Sequence, residues 1–290
     1  MRFLLLLFLA LPARAELGFE SIKKELQQLS SKPQAIEERL KDESGLESNP
    51  FGIELYRPNY LLPYYHTGSA YEEVYSNRLI SDEPPKRNEF VAQLSFKVPL
   101  WKDMFGKPIK LSAAYTQIMF WQLYSASPYF RETNYEPEIF LSGKPYDFFI
   151  CSGGLVHQSN GRGGLMERSW NRAYLDALFP LGDWTLSVKP WALIDQADSS
   201  DLHNDDIAHY LGYGELLLVY KKRKAEFSMM ARNILESGLS HGALRLGASY
   251  PIRGRFRAYA VFFNGYGQSL IEYNHTTTSV GLGVALNDWM

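Results

Sequence analysis

Phe90-Val91-Ala92-Gln93-Leu94-Ser95-Phe96-Lys97-Val98-Pro99-Leu100 carries an apolar residue at every even position and sets Gln93, Ser95 and Lys97 between them. Side chains alternate across a strand with period two, so this stretch reads as a β-strand with one greasy face. The pattern recurs. Trp184, Leu186, Val188, Pro190 and Ala192 oppose Thr185, Ser187 and Lys189, while Val280, Leu282, Val284 and Leu286 oppose Gly281, Gly283 and Asn287. Read outward in this way from Phe51, the chain divides into about a dozen segments, each near the ~10 residues that a tilted strand needs to cross a bilayer.

The connections alternate in length. Long ones are expected near Pro63 to Arg87, Tyr124 to Thr133, Asn160 to Glu167, Asp195 to Asp206, Leu235 to Gly242 and Tyr266 to Thr277. Short turns such as Gly143 to Pro145, Lys222 to Arg223 and Pro251 to Gly254 fall between them. Any single segment also fits a soluble β-sandwich. About a dozen of them with alternating loop lengths instead predict an all-β fold, a transmembrane antiparallel β-barrel, with short turns on the periplasmic side.

The start of the chain agrees. Met1, Arg2, the apolar run Phe3 to Leu11 and then Ala13-Arg14-Ala15 make a signal peptide over 1–15, with a mature chain beginning near Glu16. No later stretch is apolar and long enough for a helical span. Residues 16–50 differ in kind from the strands: Ile22, Leu26 and Leu29, then Ile36 and Leu40, keep helical spacing among many charges. They predict a charged, helical periplasmic extension broken at Pro33, ahead of a barrel over 51–290. Aromatic residues make up 14% of the chain, Tyr outnumbering Trp 19 to 6, while overall hydropathy is slightly negative. Aromatic girdles around a polar interior produce that combination. The one cysteine, Cys151, excludes an internal disulfide. The net charge of -2 argues neither for nor against a partner, and the lack of a basic cluster interleaved with aromatics argues against nucleic acid.

The chemistry gathers in one hairpin. Val156-His157-Gln158-Ser159-Asn160-Gly161-Arg162 closes the fifth strand and Arg168-Ser169-Trp170-Asn171-Arg172 opens the sixth. His157 and Ser159 stand two apart and leave the same face; Asn171, on the neighbouring strand, is placed to reach the histidine. A serine needs a base to become a nucleophile, and the base needs a third group to fix its tautomer, so the three make a workable triad. A His-x-Ser pair alone is weak, because two polar residues at a barrel rim would look the same. Its face is what counts. Asn171 shares a side with Ala173, Leu175 and Ala177, which turns the triad toward lipid, where polar groups without a function are costly. The fifth strand is fairly apolar on both sides and does not decide the direction by itself.

These two blocks resemble the active-site hairpin of the outer membrane phospholipase A family. Phe130-Arg131-Glu132-Thr133-Asn134-Tyr135-Glu136-Pro137, Val188-Lys189-Pro190-Trp191, the run from Gly265 to Asn274 and Leu286-Asn287-Asp288 are similar to further family segments in the same order. The resemblance covers the barrel and leaves the extension before Pro50 outside. It implies a twelve-stranded outer-membrane barrel, active as a homodimer, that uses Ca2+ to hydrolyse acyl esters of phospholipids and lysophospholipids with phospholipase A1 and A2 activity. Ser159 would be the nucleophile, His157 the base and Asn171 its support. The Gly161 N–H, with calcium, would stabilise the oxyanion. The implied calcium ligands are the Arg162 carbonyl, Glu167 and the Ser127 carbonyl of the partner subunit.

Glu167 stands where the best-known relatives carry a serine, and a carboxylate is a good calcium ligand. Gly163-Gly164-Leu165 replaces a more polar stretch, Gly164 offers no side-chain oxygen for a second calcium, and Met290 replaces a terminal aromatic. On the third strand Gln117 interrupts the apolar face of Leu111, Ala113, Tyr115, Met119 and Leu123. A lone amide in lipid is costly, so Gln117 is expected to pair across the dimer interface. The competing reading is a barrel without catalysis, a porin or a surface-interaction protein, which has no need of the triad.

Overall fold

The computed structural model describes residues 24–28, 52–69, 72–75, 84–146, 148–194, 203–234, 237–238 and 240–289. The expected signal peptide lies outside them. So does most of the expected extension, apart from residues 24–28, which are helical.

One antiparallel sheet holds every described strand. Its first piece, β1 (Glu54–Leu55), lies on β3 (Asn88–Trp101). The barrel wall is β2 (Asn59–Thr67), β3, β4 (Ile109–Trp121), β5 (Phe130–Tyr146), β6 (Phe149–Ser159), β7 (Ser169–Leu181), β8 (Trp184–Ile194), β9 (Gly214–Lys222), β10 (Ala225–Arg232), β11 (Ala243–Arg253), β12 (Phe256–Tyr266) and β13 (Thr276–Asn287). Each pairs with the next, and β13 closes on β2 from Ser279↔Thr67 to Asn287↔Asn59. Twelve strands thus close the wall and leave no open edge among themselves. Among the described residues no helix is long and apolar enough to cross a membrane.

The alternation of the sequence becomes an inside-out distribution. On β3, Leu94 and Phe96 are exposed on the outer face, while Gln93 and Ser95 are buried inside. Leu282 on β13 and Leu175 on β7 are likewise bare outside. The interior is polar but filled. Arg131 pairs with Glu89 at 2.7 Å and Glu272 at 3.0 Å, Arg57 with Glu136 at 2.6 Å and Glu138 at 3.0 Å, and Arg172 with Glu136 at 3.2 Å. Buried charges need such partners, since an unpaired one costs several kcal/mol. Nearby, Trp170, Tyr174 and Trp191 pack with Ile207 and Leu211, from a short helix (Ile207–Leu211), and with Leu270 and Tyr273. Two long connections therefore fold back against the interior of the wall and fill it.

The connections alternate as the sequence indicates, with some boundaries displaced. Gly143 to Pro145 is not a turn: β5 runs on to Tyr146, with its register against β6 shifting between Gly143 and Tyr146, and β6 starts at Phe149. A bulge absorbs the glycine and proline without ending the strand. Pro63 likewise lies within β2, at a register shift between Leu62 and Tyr65 where its missing N–H is tolerated. Lys222 ends β9 and Pro251 lies in β11, which reaches Arg253, so both turns come later than expected. Leu123 falls beyond the end of β4.

Candidate active site

The β6–β7 hairpin sits in the wall with its loop end, residues 160–168, among the long connections. Its register pairs His157 directly with Asn171, and Ser159 with Ser169. Val156 and Trp170 are buried on the inner face at 4% and 3% exposure, whereas Leu155 and Leu175 on the outer face reach 53% and 63%. His157 belongs to the outer set and is exposed. The direction that β6 left undecided in the sequence, and that β7 implied, is therefore outward.

His157 Nδ1 lies 2.7 Å from Asn171 Oδ1. An amide oxygen only accepts, so Nδ1 carries the hydrogen and Nε2 keeps its lone pair. Ser159 is half-buried, two residues further along β6 on the same face. Among the described residues no hydrogen bond joins Ser159 Oγ to the ring; shared strand and face are what bring the two together.

The loop after β6 is tied by a residue to which the sequence reading gave no role. Asn160 is 3% exposed; its Nδ2 donates to the Met166 carbonyl at 2.8 Å, and its Oδ1 accepts the N–H of Arg168 at 3.1 Å and of Arg162 at 3.3 Å. An Asn-Gly pair signals a turn, but the partners that make this asparagine an anchor lie across the loop and leave no local trace. Gly161 comes next in the chain with φ +62°, and a Cβ there would stand 2.8 Å from the Tyr135 ring. Only glycine fits that backbone without strain.

Of the three candidate calcium ligands, Arg162 and Glu167 share the connection after β6 and Ser127 lies elsewhere. The Arg162 guanidinium is drawn to β5, with Nε 3.1 Å from Glu132 Oε2 and Nη2 2.6 Å from the Arg131 carbonyl. Its positive charge is thereby engaged by Glu132 and the β5 backbone. Glu167 donates its N–H to the Gly164 carbonyl at 3.0 Å and accepts Arg168 Nη1 at its own carbonyl at 2.7 Å; among the described residues its carboxylate has no ion-pair partner. Oxygen donors of this kind suit a hard cation. Ser127 lies apart, exposed in the 122–129 connection between β4 and β5. Among the described residues no three His, Cys, Asp or Glu side chains gather around one point. A cation here would therefore need backbone carbonyls beside the Glu167 carboxylate.

Gln117 is on the outer face of β4, opposite Leu94 on β3 and Tyr135 on β5. The amide is not alone within its own chain, as the sequence suggested: Tyr115 donates its hydroxyl hydrogen to Gln117 Oε1 at 2.9 Å. What remains for another partner is the amide's two N–H bonds.

The phospholipase A1 family matches residues 36–286, starting ahead of the Pro50 limit that the sequence reading gave to the resemblance. A phospholipase A1 of Proteus vulgaris is 40% identical over 249 residues, which cover 83% of each chain. The outer membrane phospholipase A of Escherichia coli superposes with a TM-score of 0.76 at 37% identity, covering 84% of this chain and 95% of that one. The Salmonella typhi outer membrane phospholipase, solved as a dimer with bound calcium, gives a TM-score of 0.77 at 36% identity over 86% and 98%. A further solved relative is an active-site mutant of the E. coli protein in which an asparagine is replaced by alanine. This chain belongs to the phospholipase A1 family and is a multi-pass β-barrel of the outer membrane.

Proposed function

We propose that this protein is a calcium-dependent serine hydrolase that cleaves the acyl esters of phospholipids and lysophospholipids, with both A1 and A2 activity, as a homodimer. The observation that carries the reading is the 2.7 Å contact between His157 Nδ1 and Asn171 Oδ1 on the lipid face of the wall. A paired, outward-facing imidazole in an otherwise apolar band costs stability unless it is used.

Ser159 Oγ attacks the ester carbonyl while His157 Nε2 takes its proton and then delivers it to the departing glycerol oxygen. Water later reverses these roles and releases the fatty acid. Asn171 holds the ring in the productive tautomer. Being neutral, it orients the imidazolium without compensating its charge. The Gly161 N–H donates to the oxyanion, and Asn160 fixes the loop that carries it. Calcium, when bound, supplies positive charge beside that oxyanion. The Arg162 carbonyl, the Glu167 carboxylate and the partner subunit's Ser127 carbonyl would hold it. The calcium-bound dimer of the Salmonella typhi relative supports calcium use by a dimer, and the mutant of the E. coli relative supports an asparagine in the active site of this family. A filled interior, tied by Arg131, Arg57 and Arg172, favours an enzyme over an aqueous channel. We also infer that residues 1–15 are the export signal and 16–50 a periplasmic extension.

Fatty-acid release from phospholipid and detergent micelles is the test, with calcium or chelator, for the protein and for Ser159→Ala. Release that needs both calcium and Ser159 is expected. A calcium-loaded dimer that releases nothing refutes the assignment.

A further inference from the structure

The long-connection rim of β2 and β3 carries a concavity that the triad does not use. Pro63, Tyr64, Lys86, Arg87, Asn88 and Tyr124 line it. It opens on the outer face, where Tyr64 and Tyr124 are each nearly half exposed. Its walls are built. Buried Gln122 accepts the Lys86 N–H at 2.7 Å and donates to the Lys86 carbonyl at 3.1 Å. Lys86 Nζ donates to the Tyr124 carbonyl at 2.5 Å, and the Tyr124 hydroxyl donates to the Pro63 carbonyl. The Arg87 carbonyl accepts the Thr67 N–H at 2.8 Å, and His66 Nδ1 lies 2.7 Å from Asn88 Oδ1. Among the described residues neither Lys86 nor Arg87 has a carboxylate partner. Two exposed cations beside two phenol rings, where the wall meets the polar layer, suit a phosphate.

The place of the concavity in the barrel decides which phosphate it meets. Around the wall the order is β2, β3, β4, β5, β6, β7, with Gln117 facing outward on β4. In a two-fold dimer, what lies on one side of the axis in one subunit meets what lies on the other side in its partner. With the axis at Gln117, β6 is two strands away on one side and β2 two strands away on the other. At ~4.8 Å per strand the offsets match, about 10 Å each. Both features also sit at the same end, because β2 finishes at Thr67 and β6 at Ser159, each entering a long connection. The His157–Ser159 edge of one subunit thus faces the concavity of the other.

We propose that Lys86 and Arg87 of one subunit bind the phosphodiester of the phospholipid whose acyl ester lies at Ser159 of the other subunit. The inference rests on the phospholipase reading above and deepens it: the headgroup phosphate is recognised in trans. A lone subunit then holds only half of the substrate site.

The experiment compares KM for phosphatidylglycerol with KM for a phosphate-free acyl ester, monoacylglycerol, in the same calcium-containing micelles. For Lys86→Gln/Arg87→Gln, KM for the phospholipid rises about tenfold relative to KM for the phosphate-free ester, with each single variant giving part of the rise. The double variant is then mixed with an excess of Ser159→Ala subunits. An intact concavity on the inactive subunit restores the phospholipid KM of its active partner. Two results overturn the proposal: equal KM changes for both substrates, or a phospholipid KM that stays raised after mixing, which places the concavity in cis. If the unaltered protein releases no fatty acid from either substrate, the phospholipase reading itself fails, and the proposal with it.

Discussion

Asn171 is the residue whose contribution is simplest to isolate, because its one clear contact in the triad is the bond to His157 Nδ1. Asn171→Ala removes the fixed tautomer but leaves the base. Its kcat is expected to fall by less than the ~10²–10⁴-fold that loss of general-base transfer costs in His157→Ala. Steady-state fatty-acid release by the two variants, with calcium saturating, measures the difference; equal losses would mean that the asparagine does more than orient. The shared placement of Ser159, His157 and Asn171 was legible in the sequence, because strand parity and pairing fix it. Asn160 and Tyr135 were not. The first matters through Met166, Arg162 and Arg168, and the second because its ring crowds Gly161. Contacts of this kind exist only once the loop has closed over β5.

At the scale of elements, the wall was readable where one face of a strand meets hydrocarbon and the other does not. β3, β8 and β13 kept their alternation through to the exposed and buried sides. Boundaries moved wherever proline or glycine sits inside a strand, as at Pro63 and Gly143, since composition does not separate a bulge from a turn. The interior was the least legible part. Glu89 on β3, Arg131 on β5 and Glu272 in the last long connection meet only after closure. Their energetics give a prediction. Arg131→Met leaves Glu89 and Glu272 without their cation and is expected to destabilise the barrel by about 3–5 kcal/mol. A fall in the temperature at which the folded band is lost on electrophoresis measures it. Adding Glu89→Gln and Glu272→Gln should return part of the loss.

Considered as a whole molecule, the proposed dimer would bring its second copy against an apolar surface around β4 with one amide in it. Gln117 has already given its oxygen to Tyr115, so only its N–H bonds are free to cross the interface. Gln117→Ala is therefore expected to weaken the dimer by ~0.6–2 kcal/mol, the range for polar contacts between membrane segments. Cross-linking yield against protein-to-detergent ratio, at fixed calcium, reads that shift. An unchanged yield would mean that Tyr115 satisfies the amide and that apolar surface alone holds the subunits together.

The seam between β13 and β2 bears on the order in which this chain can fold. It joins Asn59 to Asn287, 228 positions apart, and closing so long a loop is slow because its entropy is lost before the ladder repays it. Until the last strand arrives, β2 and the growing end both present unpaired backbone, and the greasy faces of the others have no lipid annulus to meet. A nascent chain is thus a string of sticky hairpins until its final dozen residues emerge. Its passage to the membrane has to be escorted, and a stop codon in β13 should yield an aggregate rather than a smaller barrel.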